Sequence, residues 1–154
     1  FWEAEPLTGA QKELFGAARD TLYRKLSGLS TEPDRFGLIH SDLHLGNLMV
    51  DGDDLTVIDF DDAGFGWFSH ELACALHPGL GEPWFVEAEA AIIEGYSSVH
   101  PISQDEIESI NTFLAVRSLM IVGWLTARPE LPAYTYFPLV VAGAEAAADA
   151  LIKH

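Results

Sequence analysis

The fold and the chemistry of this chain are decided by residues 38–47, which read LIHSDLHLGN. The first two of these residues end a short apolar run that starts at Phe36 and is typical of a buried strand. The polar residues that follow fit the pattern H-x-D-x-x-x-x-N, which runs from His40 through Asp42 to Asn47. We therefore expect a loop after a strand that carries a carboxylate and, further along, a neutral amide.

A second acidic segment, residues 57–62, reads VIDFDD and places Asp59 twelve residues after Asn47. The dipeptide Asp51-Gly52 between the two segments is the strongest hairpin signal in the chain. Because the strands of a hairpin are antiparallel neighbours, the residues before and after it are expected to lie close together. The expected strands are residues 48–50 and 55–58.

Phosphoryl transfer from ATP requires these groups in this arrangement. A carboxylate must lie beside the acceptor hydroxyl and take its proton, and Asp42 is the expected base. Magnesium on a triphosphate prefers one or two protein oxygen ligands in addition to phosphate and water oxygens. Asn47 and Asp59 are the expected metal ligands, so the sequence predicts Mg²⁺ as cofactor and ATP as co-substrate.

Residues 40–47 resemble the H-G-D-x-H-x-x-N catalytic loop of the aminoglycoside phosphotransferase and choline kinase family, which has a protein-kinase-like fold. Residues 58–64, IDFDDAG, resemble the metal-binding segment of that family, and Glu71-Leu72-Ala73 loosely matches a following D-L-A. The resemblance implies the same base and the same two metal ligands. It also implies transfer to a hydroxyl of an aminoglycoside-, choline- or homoserine-like small molecule.

Further polar residues are expected around this centre. His40, His44 and Glu71 are expected to support the catalytic loop rather than to react. Asp61 and Asp62 are candidates for contacts with a cationic acceptor, although exposed acids of a turn need no function.

Three residues depart from the family pattern. Ser41 stands where the family usually has glycine, Leu45 where it often has proline, and Glu71 where it usually has aspartate. The first two affect loop conformation, and the third keeps the charge on a longer side chain. No departure removes a group that the chemistry needs.

The expected fold class is α+β and mostly helical, a kinase-like C-terminal lobe in which a small β-hairpin carries the catalytic and metal-binding loops. Residues 59–66 are expected to form an acidic loop. The helix signals are capping boxes, apolar residues at helical spacing, and prolines at boundaries. The expected helices are residues 9–27, one capped by Ser69 that runs to Leu76, one from Pro83 to Tyr96, one from the Ser103 capping box to before Pro129, and one from Pro138 to about Ile152.

A single domain is expected over residues 1–154. Residues 1–37 offer one helix and a turn, with no strand-borne lysine before His40. Kinases of this type hold the nucleotide phosphates with such a lysine in an N-terminal lobe. We therefore expect that lobe to be absent from this chain, which alone should bind ATP poorly.

Charge and composition exclude several function classes. The 24 acidic and 8 basic residues give a net charge of −16, which disfavours nucleic-acid binding because phosphates would be repelled. The longest uncharged stretch, residues 131–144, is short and contains prolines, so no membrane partner is expected. A lone cysteine, Cys74, fits a reducing compartment and predicts a cytoplasmic protein. The expected partner is a small hydroxyl-bearing molecule, with a mild preference for a cationic one.

Two other interpretations stay open. A kinase-like binding module without catalytic activity would explain the absent lobe, yet all three chemical residues are present. A metal-dependent hydrolase leaves the spacing of Asn47 unexplained, but the chain has enough potential ligands for zinc or a two-metal site. These ligands are His40, Asp42, His44, Asp59, His70 and His77.

Overall fold

The computed structural model describes residues 6–153; residues 1–5 and 154, which the predicted domain includes, lie outside the described residues. The chain divides into two compact units. The first comprises the chain up to Leu29 together with the residues from Ala115 onward, and the second comprises Ser30–Leu114. The expectation of one domain over residues 1–154 stays a prediction.

The first unit is helical and consists of α1 (Gly9–Leu26), the C-terminal half of α4 (Gln104–Thr126) and α5 (Phe137–Lys153). α1 begins where predicted because Thr8 and Gln11 form a reciprocal capping box. One apolar face of each helix supplies the core of this unit. The core includes Phe15, Ala18 and Leu22 of α1, Leu119, Val122 and Leu125 of α4, and Val141, Ala144, Ala148 and Leu151 of α5.

α4 and the segment Pro132–Lys153, which contains α5, are long and apolar enough to cross a membrane by length and composition alone. In this unit both helices use part of that apolar surface for the core, since Val122 and Ala148 are fully buried. Core helices of globular domains show the same pattern of one buried apolar face. The absence of a membrane partner stays a prediction.

The second unit contains two antiparallel sheets of two strands each. In one sheet, β2 (Leu48–Asp51) and β3 (Asp54–Val57) form the predicted hairpin, with Gly52 at a φ of 61° in its two-residue turn. In the other sheet, β1 (Phe36–Ile39) pairs with β4 (Gly64–Trp67). The helices α2 (Phe68–Leu76) and α3 (Phe85–Ser97) follow, and α2 packs against β1, β4 and α3. The prediction of a mostly helical α+β fold with a small hairpin is confirmed.

Two predictions for the region after the hairpin are wrong. Residues 64–66, expected as the end of an acidic loop over residues 59–66, belong to β4 (Gly64–Trp67), which pairs with β1 along its whole length. Position 66 of this strand favours glycine, because the Cβ of any other residue there would overlap the side chain of Ile39. Ser69 does not cap α2: the helix begins at Phe68 after Trp67, and Ser69 is buried inside its first turn.

The strands next to the predicted site are less buried than expected. In β1, Ile39 is buried, but Leu38 is 71% exposed. β3, which precedes Asp59, exposes Leu55 and buries none of its residues fully. α2 packs against β1 and β4, and a sheet face that no other element covers stays exposed.

α4 begins at a charged cluster centred on Arg35. The guanidinium donates a hydrogen bond to Asp105 at 2.6 Å and lies 3.9 Å from Glu106. This hydrogen bond lowers the pKa of Asp105 and raises the pKa of Arg35. Glu106 also accepts the backbone N–H of Ser103, as the predicted capping box requires. These contacts join the start of α4 to the residue before β1.

Candidate active site

Asp42 and Asn47 both lie in the loop of residues 40–47, which connects β1 to β2 and ends in a short 3₁₀ helix, Leu45–Asn47. The amide nitrogen of Asn47 donates to the backbone oxygen of Asp42 at 2.9 Å and to its Oδ2 atom at 3.3 Å. Asn47 is buried. Because its nitrogen is committed to Asp42, its carbonyl oxygen is the atom that can bind a metal ion.

His44 points a ring N–H at the carboxylate of Asp42. Its Nδ1 atom accepts the backbone N–H of Gly46 at 3.0 Å, so in the neutral ring the proton lies on Nε2. Nε2 is 3.5 Å from Oδ2 of Asp42. Gly46 is required for this geometry, because a Cβ there would lie 2.8 Å from Cε1 of His44.

His40 joins the catalytic loop to the metal-binding segment. Its Nδ1 accepts the backbone N–H of Asp42 at 3.3 Å, which leaves the proton on Nε2 to be donated to the carbonyl of Ile58 at 2.8 Å. The N–H of Ile58 in turn donates to the carbonyl of Asn47 at 3.0 Å. The backbone of Ile58 is thus hydrogen-bonded to His40 and Asn47, at the two ends of the loop. This places the backbone of the next residue, Asp59, close to Asn47.

Glu71, in the first turn of α2, accepts two consecutive backbone N–H groups of the catalytic loop. One carboxylate oxygen accepts from His40 at 2.8 Å and the other from Ser41 at 2.9 Å. Ser41 has a φ of 69°, in the left-handed region where a side chain is disfavoured. The carboxylate therefore contacts the loop at its strained residue, and glutamate serves here although the family pattern has aspartate.

Asp59 also has a left-handed backbone, with a φ of 65°. It opens an exposed turn that contains Asp61 and Asp62, closed by a hydrogen bond from the N–H of Ala63 to the carbonyl of Phe60. Within residues 6–153, the side chains of Asp61 and Asp62 make no hydrogen bond or ion pair. The candidate substrate contacts are therefore exposed beside the site but not fixed by it.

The ligand set fits magnesium better than zinc. Asn47 and Asp59 offer hard oxygens from two adjacent segments, which suits an ion that takes its remaining ligands from phosphate and water. In the described part of the chain, no group of three or more His, Cys, Asp or Glu side chains is close enough to hold a metal ion. His70 instead contacts the ring of Phe113.

Two residues that hold the loop were not singled out from the sequence. Ile58 acts through its backbone, which carries no sequence signal. Cys74, which in the sequence indicated only a reducing compartment, is buried and donates its thiol proton to the carbonyl of Ser41 at 3.3 Å. The i, i+3 spacing of Glu71 and Cys74, which places both on one helix face, is the signal that could have indicated it.

The chain belongs to the phosphotransferase enzyme family, whose family model matches residues 3–106. It is similar to amicoumacin kinase of Bacillus subtilis (strain 168), with 30% identity over 69% of this chain and 34% of that protein. The structure of the microcompartment-associated aminopropanol kinase matches 99% of this chain and 49% of its own, with a TM-score of 0.85 and 31% identity.

A second solved structure is that of the amicoumacin kinase hAmiN in complex with AMP-PNP, Ca²⁺ and Ami. It matches 94% of this chain and 48% of its own with a TM-score of 0.75, and at 24% identity it shows the shared fold. The chain thus spans between about a third and a half of the length of these relatives. The resemblance drawn from the two sequence motifs is confirmed.

Proposed function

We propose that this chain forms the catalytic lobe of a kinase that transfers the γ-phosphoryl group of ATP to a hydroxyl of a small molecule. The observation that carries the proposal is the pair of hydrogen bonds that Ile58 makes with His40 and Asn47. They hold a potential base, Asp42, and a potential metal ligand, Asp59, on two directly connected segments. Membership of the phosphotransferase family supports the reaction class.

Asp42 is the proposed base. It would accept the proton of the acceptor hydroxyl while that oxygen bonds to the γ-phosphorus and the bond to the bridging oxygen of the nucleoside diphosphate breaks. Asn47 and His44 both approach its Oδ2 atom, at 3.3 and 3.5 Å, and so orient the carboxylate before substrate arrives. Such preorganisation removes reorientation from the reaction itself.

Asn47 and Asp59 would hold Mg²⁺. When bound, the ion neutralises charge on the transferring phosphate. The structure of hAmiN contains AMP-PNP and Ca²⁺, which supports a nucleotide and a divalent cation as ligands of this fold.

The proposed acceptor class is a small amino alcohol. Asp61 and Asp62 lie exposed on the turn after Asp59, and the net charge of −16 favours a cationic molecule near this surface. One solved relative is named an aminopropanol kinase. We further propose that a nucleotide-binding lobe outside residues 1–154 completes the enzyme in the cytoplasm, since the relatives are at least about twice as long.

The test is the rate of phosphate transfer by the complete protein, measured with ATP, Mg²⁺ and a panel of amino alcohols and other hydroxyl compounds. The change Asp42→Asn should lower kcat by roughly a hundredfold or more, the typical contribution of a positioned base. Asp53→Asn, at the exposed hairpin turn, removes the same charge away from the site and should leave kcat within about twofold. A near-normal rate for Asp42→Asn would contradict its role as base.

Binding of nucleotide without any turnover, across the whole panel, would instead support the kinase-like module without catalytic activity.

A further inference from the structure

The thiol of Cys74 is fully enclosed and lies directly beneath the catalytic loop. It is 1% exposed, and its Sγ atom is 3.3 Å from the carbonyl oxygen of Ser41. On its other side, Sγ is 3.6 Å from Nε2 of His70, one turn earlier on α2. Buried cysteines usually behave as small apolar residues, so two polar neighbours at these distances require an explanation.

The proton on the thiol can be assigned from its neighbours. A carbonyl oxygen only accepts hydrogen bonds, so the single S–H proton of Cys74 is directed to Ser41. The sulfur can then receive a hydrogen bond from His70, whose Nε2 must carry the ring proton in that arrangement. The result is a chain of donors that runs from His70 through Cys74 to the backbone at Ser41.

The carbonyl of Ser41 belongs to the same planar peptide group as the N–H of Asp42. Cys74 holds the oxygen end of this peptide, and Nδ1 of His40 holds the N–H end at 3.3 Å. Glu71 binds the preceding N–H, that of Ser41. The peptide that leads into the proposed base is therefore held at both ends, at a residue whose φ of 69° would otherwise favour rearrangement.

We propose that Cys74 is a positioning residue of the catalytic loop, which fixes the peptide before Asp42 through its thiol hydrogen bond. The inference rests on the proposed function, because only the orientation of a catalytic carboxylate gives this hydrogen bond a consequence for activity. Cys74 touches neither substrate nor metal in this assignment, and its effect passes through Ser41 and the following peptide.

The first experiment measures the S–H stretching band of the purified chain by infrared spectroscopy. Cys74 is the only cysteine, so the band reports this thiol alone. We expect a frequency below that of the same chain unfolded in urea, where the thiol is hydrated, together with a narrower band. His70→Ala should shift the band again, because the sulfur loses its donor. A band that matches an apolar, unbonded thiol would overturn the proposal.

The second experiment compares Cys74→Ala, which removes the donor, with Cys74→Ser, which keeps one. Hydrogen exchange at the amides of Ser41 and Asp42 should accelerate about fivefold in Cys74→Ala, the equivalent of one net hydrogen bond, and return toward the wild-type rate in Cys74→Ser. Leu76→Val is the matched control: it removes a buried methylene from the same helix, and a leucine side chain donates no hydrogen bond to the loop. Its exchange rates at these amides should match wild type.

In the complete enzyme, Cys74→Ala should lower kcat about fivefold with an unchanged KM for ATP, and Cys74→Ser should restore it. Equal losses in both variants would mean that the sulfur only fills space, and would overturn the proposal. The infrared and exchange measurements need neither metal nor nucleotide. An absence of turnover with an intact S–H signature would therefore count against the proposed function and not against the hydrogen bond.

Discussion

The candidate catalytic loop, residues 40–47, and the exposed turn of the candidate metal-binding segment, residues 59–63, are held in different ways. Each contains one non-glycine residue with a left-handed backbone, Ser41 at a φ of 69° and Asp59 at 65°. The loop is bonded to α2, to its own histidines and to Ile58. The segment is an exposed turn whose acidic side chains face solvent.

This difference corresponds to what each part must do. A base has to be oriented before the reaction. The entropic cost of ordering its loop is therefore incurred when the protein folds and not during catalysis. Metal ligands can be ordered by the ion itself, because binding free energy is gained when they come together. On the roles proposed above, the protein would fix the proton acceptor by its own contacts, and the bound metal ion would fix the exposed turn.

Asp59→Gly separates strain from chemistry in the candidate metal-binding segment, and among the changes that test this comparison its effect should be large. Glycine accepts the left-handed backbone at no steric cost, so the free energy of unfolding should be unchanged or higher by up to about 1 kcal/mol. Loss of the carboxylate should weaken binding of Mn²⁺, used as a magnesium substitute, by at least roughly tenfold. Isothermal titration calorimetry measures the affinity.

Asp61→Gly is the matched control for this change, because Asp61 lies in the same exposed turn. It should leave the Mn²⁺ affinity within about twofold, as expected for a screened surface charge. Equal affinities for the Asp59 variant and for wild type would remove Asp59 from the ligand set.

The next effect concerns the catalytic loop. Glu71→Gln leaves one acceptor oxygen for two backbone N–H groups, so one of the amides at His40 and Ser41 loses its partner. We expect a loss of roughly 1–3 kcal/mol in the free energy of unfolding, the cost of an unsatisfied buried group. Urea denaturation measures this quantity. Glu94→Gln on the exposed side of α3 should change it by less than about 0.5 kcal/mol.

A similar loss in both variants would mean that the contacts of Glu71 contribute nothing beyond its charge. The comparison between a fixed loop and an open turn would then lose its main support.

The features of the fold and of the candidate site that depend on residues close together in the sequence could be predicted from it. The capping box at Thr8 located the start of α1, and Asp51-Gly52 located the hairpin, because both signals depend on residues three or fewer apart. The motif from His40 to Asn47 indicated the loop. The family that we inferred from this motif and the following acidic segment is confirmed by the family model, which matches residues 3–106. The roles of the individual site residues stay predictions.

The parts that depend on distant partners were missed. β4 alternates glycine with aromatic residues and becomes a strand only through its pairing with β1, more than twenty residues earlier. Trp67, rather than Ser69, precedes α2 because the strand runs directly into the helix. The hydrogen bond from Cys74 to Ser41 likewise joins two elements that no sequence periodicity connects. Tertiary contacts determined each of these features.

A smaller effect is expected at Gly46, whose position against His44 leaves no room for a methyl group. In Gly46→Ala the flexible ring of His44 should move away, since a side chain yields more easily than backbone. Asp42 would lose the ring nitrogen that lies 3.5 Å from its Oδ2 atom, and kcat should fall by up to roughly tenfold, the upper value for loss of one charge-assisted contact. Thermal denaturation should show only a small change in Tm, because the altered contact is partly exposed.

Gly95→Ala in α3 provides the control, because a Cβ there meets no other atom. It should raise helix stability slightly and leave kcat unchanged. A Gly46→Ala enzyme with normal kcat would show that His44 does not orient the base.

The smallest effect is expected for Ser41→Gly, the counterpart of the change at Asp59. The left-handed backbone costs a non-glycine residue about 1–2 kcal/mol, whereas glycine gives up about 0.5–1 kcal/mol through the entropy of the unfolded chain. The net expectation is a free energy of unfolding higher by up to about 1 kcal/mol. Glu71 and Cys74 bind only backbone atoms of this residue, so both contacts persist and kcat should change less than about twofold.

Ser41→Ala distinguishes strain from the loss of the hydroxyl, because alanine keeps the side-chain carbon that the left-handed backbone disfavours. It should therefore show no gain in the free energy of unfolding by urea denaturation. If Ser41→Gly were no more stable than Ser41→Ala, the loop would not be strained at this residue. We expect Ser41→Gly to relieve strain and keep activity, and Asp59→Gly to relieve strain and weaken metal binding. Together these results would show that, of the two strained positions, only the one in the exposed turn needs its side chain.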